Sequence, residues 1–208
     1  MTAGQFAFAT PADWFPVRLP KTQADLNRLA ADIMDAYPAL ARERDTVQQM
    51  LRGFGLTIAA IHAVSAHAAV AGLPGLAVPA TLRVSLQAMG RRTLDQVAGE
   101  LSEGELEASA VAMFHLPAGR TARVERLSTM PNAVAGRPLS SLSVSYVTEV
   151  PDRGQAIVLT FGTLAVAQAR SLLTVFHQIA CSLCVNPTGR VQPPGRSVVG
   201  RPDLAGGC

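Results

Sequence analysis

From Leu139 to Val185 the chain reads as a strand, a tight turn, a second strand and an amphipathic helix. In LSSLSVSYVTEV, Leu142, Val144 and Tyr146 alternate with Ser141, Ser143 and Ser145, the two-residue period of a strand with one apolar and one polar face. PDRG has turn chemistry, and QAIVLTFGT is rich enough in β-branched and aromatic residues to be the returning strand. The apolar spacing then becomes helical through LAVAQARSLLTVFHQIACSLCV, residues 164–185. Strands joined by so short a turn pair antiparallel. The stretch therefore demands an antiparallel sheet with a C-terminal helix against it.

The rest of the chain supplies more of the same. Phe6, Phe8, Trp14, Phe15, Val17 and Leu19 form an apolar segment interrupted by Pro11 and Pro16, which suits an edge strand because proline cannot donate to a central ladder. Thr22 and Asp25 mark the start of a helix that Pro38 ends, with Leu26, Leu29, Ile33 and Met34 as its buried stripe. A second helix is expected over Ala39–Arg52, stopped by Gly53 and Gly55. Leu56–Ala68 and Leu76–Met89 read as a hairpin, RRTLDQVAGEL as a short helix, and Ala108–Leu116 and Thr121–Leu127 as strands about a Pro117-Ala118-Gly119 turn. Strands and helices that do not strictly alternate give the α+β class, here an antiparallel β-sheet sandwiched between α-helices. In Ala156–Phe161, Val158 opposes Ile157, Leu159 and Phe161, so this strand is expected to be covered on both faces.

A chain of 208 residues suits one domain. It is expected over 1–185, followed by a disordered Pro/Gly/Arg tail over 186–208. The pI near 9.1 owes much to that tail, with Arg190, Arg196 and Arg201 against Asp203. The body carries 15 basic and 14 acidic residues, not the broad basic face that phosphate backbones require, so no nucleic-acid partner is expected. The N-terminus lacks a secretory pattern and three cysteines suit a reducing compartment, which together point to a cytoplasmic location. Gly53–Leu82 holds no Asp, Glu, Lys or Arg and is long enough to span a bilayer. Its alanine content, His62, His67 and the turn-forming Gly72-Leu73-Pro74-Gly75 favour strands, so stable membrane insertion is not expected.

Several local sequences carry a family likeness: Trp14-Phe15-Pro16-Val17-Arg18-Leu19, Leu116-Pro117-Ala118-Gly119, Ser145-Tyr146, and Ile157-Val158-Leu159-Thr160-Phe161 with Thr163. With the order of elements over Phe6–Val185, the chain resembles the PsbP-like fold shared with the Ran-binding Mog family and LpqN-type mycobacterial lipoproteins, nearest to uncharacterised actinobacterial members. The resemblance implies a sheet between helices and a non-enzymatic protein that acts by binding other proteins. Fold alone does not transfer a function.

Motifs for chemistry are sparse. Cys181-Ser182-Leu183-Cys184 is a CxxC whose spacing puts both thiols on one helical face. It falls at a helix C-terminus, where the dipole opposes a thiolate, so small buried apolar cysteines are the expectation. His62 and His67 are expected on opposite strand faces, and His177 at the margin of the last helix's packed face. His115 at a strand end is the best-placed histidine for a site. No G-x-S-x-G, H-E-x-x-H or Walker loop occurs, and neither cofactor nor metal is expected. Arg120, Arg123 and Arg126 with Glu125 read as a charged strand edge that discourages sheet pairing, or, functionally, as a docking surface for an acidic partner. These residues lead to an adaptor or accessory protein acting through protein–protein binding. The alternative is a small-ligand binder or enzyme, with Trp14, Tyr146 and His115 lining a pocket between sheet and helices.

Overall fold

The computed structural model describes residues 6–12, 14–17, 63–69, 78, 80–103, 108–130, 139–150 and 153–185, and helical positions 24, 25, 27, 28, 31 and 35. Those helical positions lie within the helix expected between Thr22 and Pro38. The expected helix over Ala39–Arg52, the first part of the Leu56–Ala68 strand and the tail from 186 lie outside the described residues.

Seven strands make one antiparallel sheet. They are β2 (Trp14–Val17), β3 (Ala63–Ala69), β4 (Ala80–Ala88), β5 (Ala108–Leu116), β6 (Gly119–Met130), β7 (Leu139–Val150) and β8 (Gln155–Thr163). Their spatial order is β2-β3-β4-β8-β7-β6-β5. The short β1 (Phe6–Ala7) pairs separately with β9 (Cys184–Val185). The β7–β8 hairpin follows the alternation read from the sequence. The chain then returns β8 beside β4, so that Leu82, Phe161 and Val144 stand in one row.

Alternation along the central strands separates two cores. On one face Leu82, Val84, Val144, Tyr146, Ile157, Leu159 and Phe161 pack with Leu172, Phe176, Ile179 and Ala180 of helix α2 (Ala169–Cys181). On the other, Ala122, Val124, Val147, Ala156 and Val158 pack with Met89 and with Leu94, Val97 and Ala98 of helix α1 (Leu94–Ser102). The expected double coverage of β8 is thus present. The class is α+β: one open antiparallel sheet with two described helices.

Local chemistry explains where these elements stop. Thr93 caps α1 through a reciprocal box, accepting from Gln96 N–H at 3.2 Å while Gln96 Oε1 accepts from Thr93 N–H at 2.8 Å. Gly154 takes φ +57° in the β7–β8 turn, where its carbonyl accepts from Met89 N–H at 2.8 Å. The last helix departs from expectation: α2 begins after a 3₁₀ turn (Val166–Gln168) and ends at Cys181, rather than running over 164–185. Ser182 ends it. Its hydroxyl lies 2.7 Å from the Ile179 carbonyl and accepts from Ala9 N–H at 2.9 Å, which directs the next residues onto β1.

Phe161 is the packing centre. It stacks on Phe176 with centroids 4.5 Å apart, and takes Trp14 and Tyr146 edge-on at 6.1 and 5.9 Å. Phe161→Ala should destabilise the fold by about 3–5 kcal/mol in denaturant titration, and Thr93→Ala by about 1 kcal/mol. Equal effects from the two would disprove a core organised on this ring.

Candidate functional site

The six residues singled out in the sequence do not converge on one site. Trp14, on the sheet-edge strand β2, is 4% exposed and wedged edge-on against Phe161 and Phe176. Tyr146, in the middle of β7, is fully buried on the same face, with the His177 ring 6.0 Å away. His115 is exposed and lies opposite Arg120 on the other face, so it cannot line a pocket with Trp14 and Tyr146. The physical reason is strand parity: Phe114 turns under α2, and its neighbour must turn away.

The arginines divide in the same way. Arg123 is the cross-strand partner of Tyr146. Its guanidinium pairs with Glu125 at 2.8 Å and sits 4.9 Å over the Phe114 ring. Arg120 reaches Asp95 of α1 at 2.9 Å on the opposite face, and Arg126 lies opposite Ser109 and Ser143 on that same face. They form no single docking patch. The strand that carries them, β6, lies between β7 and β5, so the expectation of a charged sheet edge is also corrected.

Under α2 the structure brings together residues that the sequence reading had left apart. His177 stands between Tyr146 and Phe114, with centroids at 6.0 and 5.6 Å. Among the described residues, buried Arg123 Nε and His177 Nδ1 have no hydrogen-bond partner, and the Tyr146 hydroxyl faces the Arg123 guanidinium. Burial pushes the Tyr146 hydroxyl up to about 12, against the opposing pull of the Arg123 guanidinium. The signal for this cluster was the shared parity of Phe114 and Tyr146 on facing strands. It becomes readable only when β6 is known to join them.

Other polar groups are placed apart from this cluster. Arg83, on the face opposite Tyr146, is 8% exposed, and desolvation holds its pKa below the usual value. His67 stands edge-on to Phe8 at 5.2 Å, and burial lowers its pKa. The CxxC reading is corrected. Cys181 ends α2 half-buried, whereas Cys184 is exposed in β9, so the two thiols do not share a helical face and are not both buried. Among the described residues no three His, Cys, Asp or Glu converge as a metal site. A cleft of about 10 Å³, lined by Phe6, Leu86, Val150 and Ile157 among others, has room for about one water. Among the described residues no helix is long and apolar enough to cross a membrane. The described part of the charge-free Gly53–Leu82 stretch contributes strands to the sheet.

The most distinctive surface is β5. Among the described residues it is the terminal strand of the sheet, nine residues long, and all but its last residue are exposed or half-exposed. Val111 and Met113 are 47% and 40% exposed. Ala108–Leu116 contains no Lys, Arg, Asp, Glu or Pro. The opposite edge, β2, is four residues long and contains Pro16. Sheet edges are commonly protected by shortness, proline or charge; β2 has the first two, and β5 has none.

Tyr146→Phe should change stability by no more than about 1 kcal/mol in denaturant titration, because the hydroxyl's interaction with the Arg123 guanidinium is offset by the cost of its desolvation. The unfolded tyrosine ionises near 10 and the folded one near 12, so the unfolded state binds fewer protons between these values. Stability is therefore unaffected by this group below pH 10 and falls as pH rises from there through about 12. Ultraviolet titration should show one late-ionising tyrosine, missing in Tyr146→Phe; two tyrosines that both ionise near 10 would refute the burial.

No family model and no curated protein matches the sequence. Among solved structures, the chain is similar to LpqN of Mycobacterium tuberculosis, described as involved in cell envelope biogenesis. The two share 13% identity at a TM-score of 0.49, over 89% of this chain and 87% of that one.

Proposed function

We propose that this protein is a non-enzymatic binding module that engages a protein partner by accepting a strand along β5. The observation that carries the reading is the open, uncharged edge of β5, with Val111 and Met113 exposed beside it. Strand addition takes its affinity from main-chain hydrogen bonds and its specificity from alternate side chains, and β5 offers both. The PsbP-like resemblance of the sequence points the same way, since it implies action through protein contacts.

Replacing Val111 by Lys places a charge on the edge without touching either core. Its stability cost should stay within about 0.5 kcal/mol. Affinity capture with the full chain should recover proteins that Val111→Lys loses and that Arg170→Glu, on the exposed side of α2, retains. Capture of the same set by all three chains would overturn the reading.

A second reading is binding of a small polar molecule beneath α2, favoured by the unpartnered Arg123 Nε and His177 Nδ1 beside the Tyr146 hydroxyl. It requires a ligand whose stabilisation of the fold in thermal melts is lost in Arg123→Met and Tyr146→Phe. A ligand that protects wild type and both variants equally would rule this site out.

A further inference from the structure

We infer that the strand fitting β5 is β5 of a second copy of this chain, joined antiparallel about a two-fold axis at Ala112. The inference rests on the β5 reading above and names its occupant. The two-residue loop makes Leu116 and Gly119 the closing hydrogen-bonded pair of the β5–β6 hairpin. Even-numbered β5 residues therefore bond to β6, and the N–H and C=O groups of Ser109, Val111, Met113 and His115 point outward.

Symmetry restricts the register. A two-fold axis perpendicular to the sheet preserves its faces, and residues opposite one another in an antiparallel pair share a face. The axis must therefore pass where a residue meets its own copy. Overlap of all nine residues puts that point at Ala112. Val111 then faces Met113 of the second copy in a hydrogen-bonded pair, and Ser109 faces its His115.

The side chains agree with this register. On the α1 side the two exposed apolar residues, Val111 and Met113, cover each other, and the polar Ser109 and His115 meet at the ends. On the α2 side each large residue meets a small one: Ala110 faces Phe114 and Ala108 faces Leu116, with Ala112 against its copy. Charge agrees as well. A surface that meets itself cannot cancel a net charge, so it must be neutral, and β5 carries no formal charge. Of the three β6 arginines opposite β5, Arg120 and Arg123 are already paired with Asp95 and Glu125 of their own chain, and Arg126 lies opposite Ser109 toward the end of the overlap. Nine residues a side fall short of the roughly 20–30 in a stable interface, so the dimer is weak and reversible, and a stronger partner strand can displace it.

Sedimentation velocity of the full chain across concentration tests this directly. The weight-average mass should rise from 21.8 kDa toward twice that value, while Val111→Lys and Met113→Lys stay monomeric with unchanged circular dichroism. The register is tested by mild oxidation in a Cys184→Ser, Cys208→Ser background. Ala112→Cys should cross-link, because an opposed non-hydrogen-bonded pair places Cα atoms about 4.5 Å apart, within disulfide reach. Ala110→Cys should not, because its copy lies roughly 14 Å away along the strands. A wild-type chain that stays monomeric throughout, or equal cross-linking at both positions, overturns the proposal. Either result leaves the broader β5 reading to be judged by its own capture experiment.

Discussion

The fold depends on the side chain of Phe161. β8 is a central strand, and Phe161 lies in the row with Leu82 of β4 and Val144 of β7. Its ring meets Phe176 of α2 in parallel and takes Trp14 and Tyr146 on edge. One residue thus ties an edge strand, a central strand and the last helix to the same point. Aromatic rings in such contacts contribute about 0.5–1.5 kcal/mol beyond the area they bury, and here several contacts share one ring. Trp14 and Tyr146 are fixed by this arrangement. Their role in the fold is to hold β2 and β7 under α2.

A core so concentrated has consequences at its margins. The helix packs over the centre of the sheet, and moving from β7 toward β5 the face becomes mixed. Glu125, Arg123 and His177 stand where the aliphatic row ends, and Phe114 lies beneath the Arg123 guanidinium. The cation is compensated by a carboxylate and an aromatic face and stands by the Tyr146 hydroxyl, yet its Nε is left unpartnered among the described residues. Beyond that boundary β5 carries no formal charge, and among the described residues its Val111 and Met113 stay exposed at the edge of the sheet.

The alternation of LSSLSVSYVTEV and the turn-forming PDRG were enough to place β7 and β8, because pairing across a short hairpin is a local matter. The neighbour of β6 was not local. Period-two patterning reports which face a side chain takes, and it is silent on which strand lies alongside. Arg120, Arg123 and Arg126 thus looked like an edge when they lie inside the sheet. Helix length failed for a related reason. Apolar spacing continues through Cys181-Ser182-Leu183-Cys184, and only the contacts of Ser182 and Phe6–Ala7, far away in the chain, explain why the last residues leave the helix. His115 was different. Its parity with Phe114 was readable all along, but the register through β6 was needed to set it on the face opposite Tyr146.

The two edges of the sheet explain why function is sought at β5 and not at β2. A strand with unpaired main-chain groups is an aggregation risk unless something blunts it, and β2 is blunted by brevity and by Pro16. An equally simple remedy at β5 was one lysine at Val111 or Met113, both exposed positions where a charge costs little. Instead these positions are apolar, and the residues on the other side alternate small with large, Ala110 with Phe114 and Ala108 with Leu116. A strand selected only to avoid contact has no use for that pattern. One that receives a matching strand requires it, because the pairing must fill space on both faces while remaining neutral along its length.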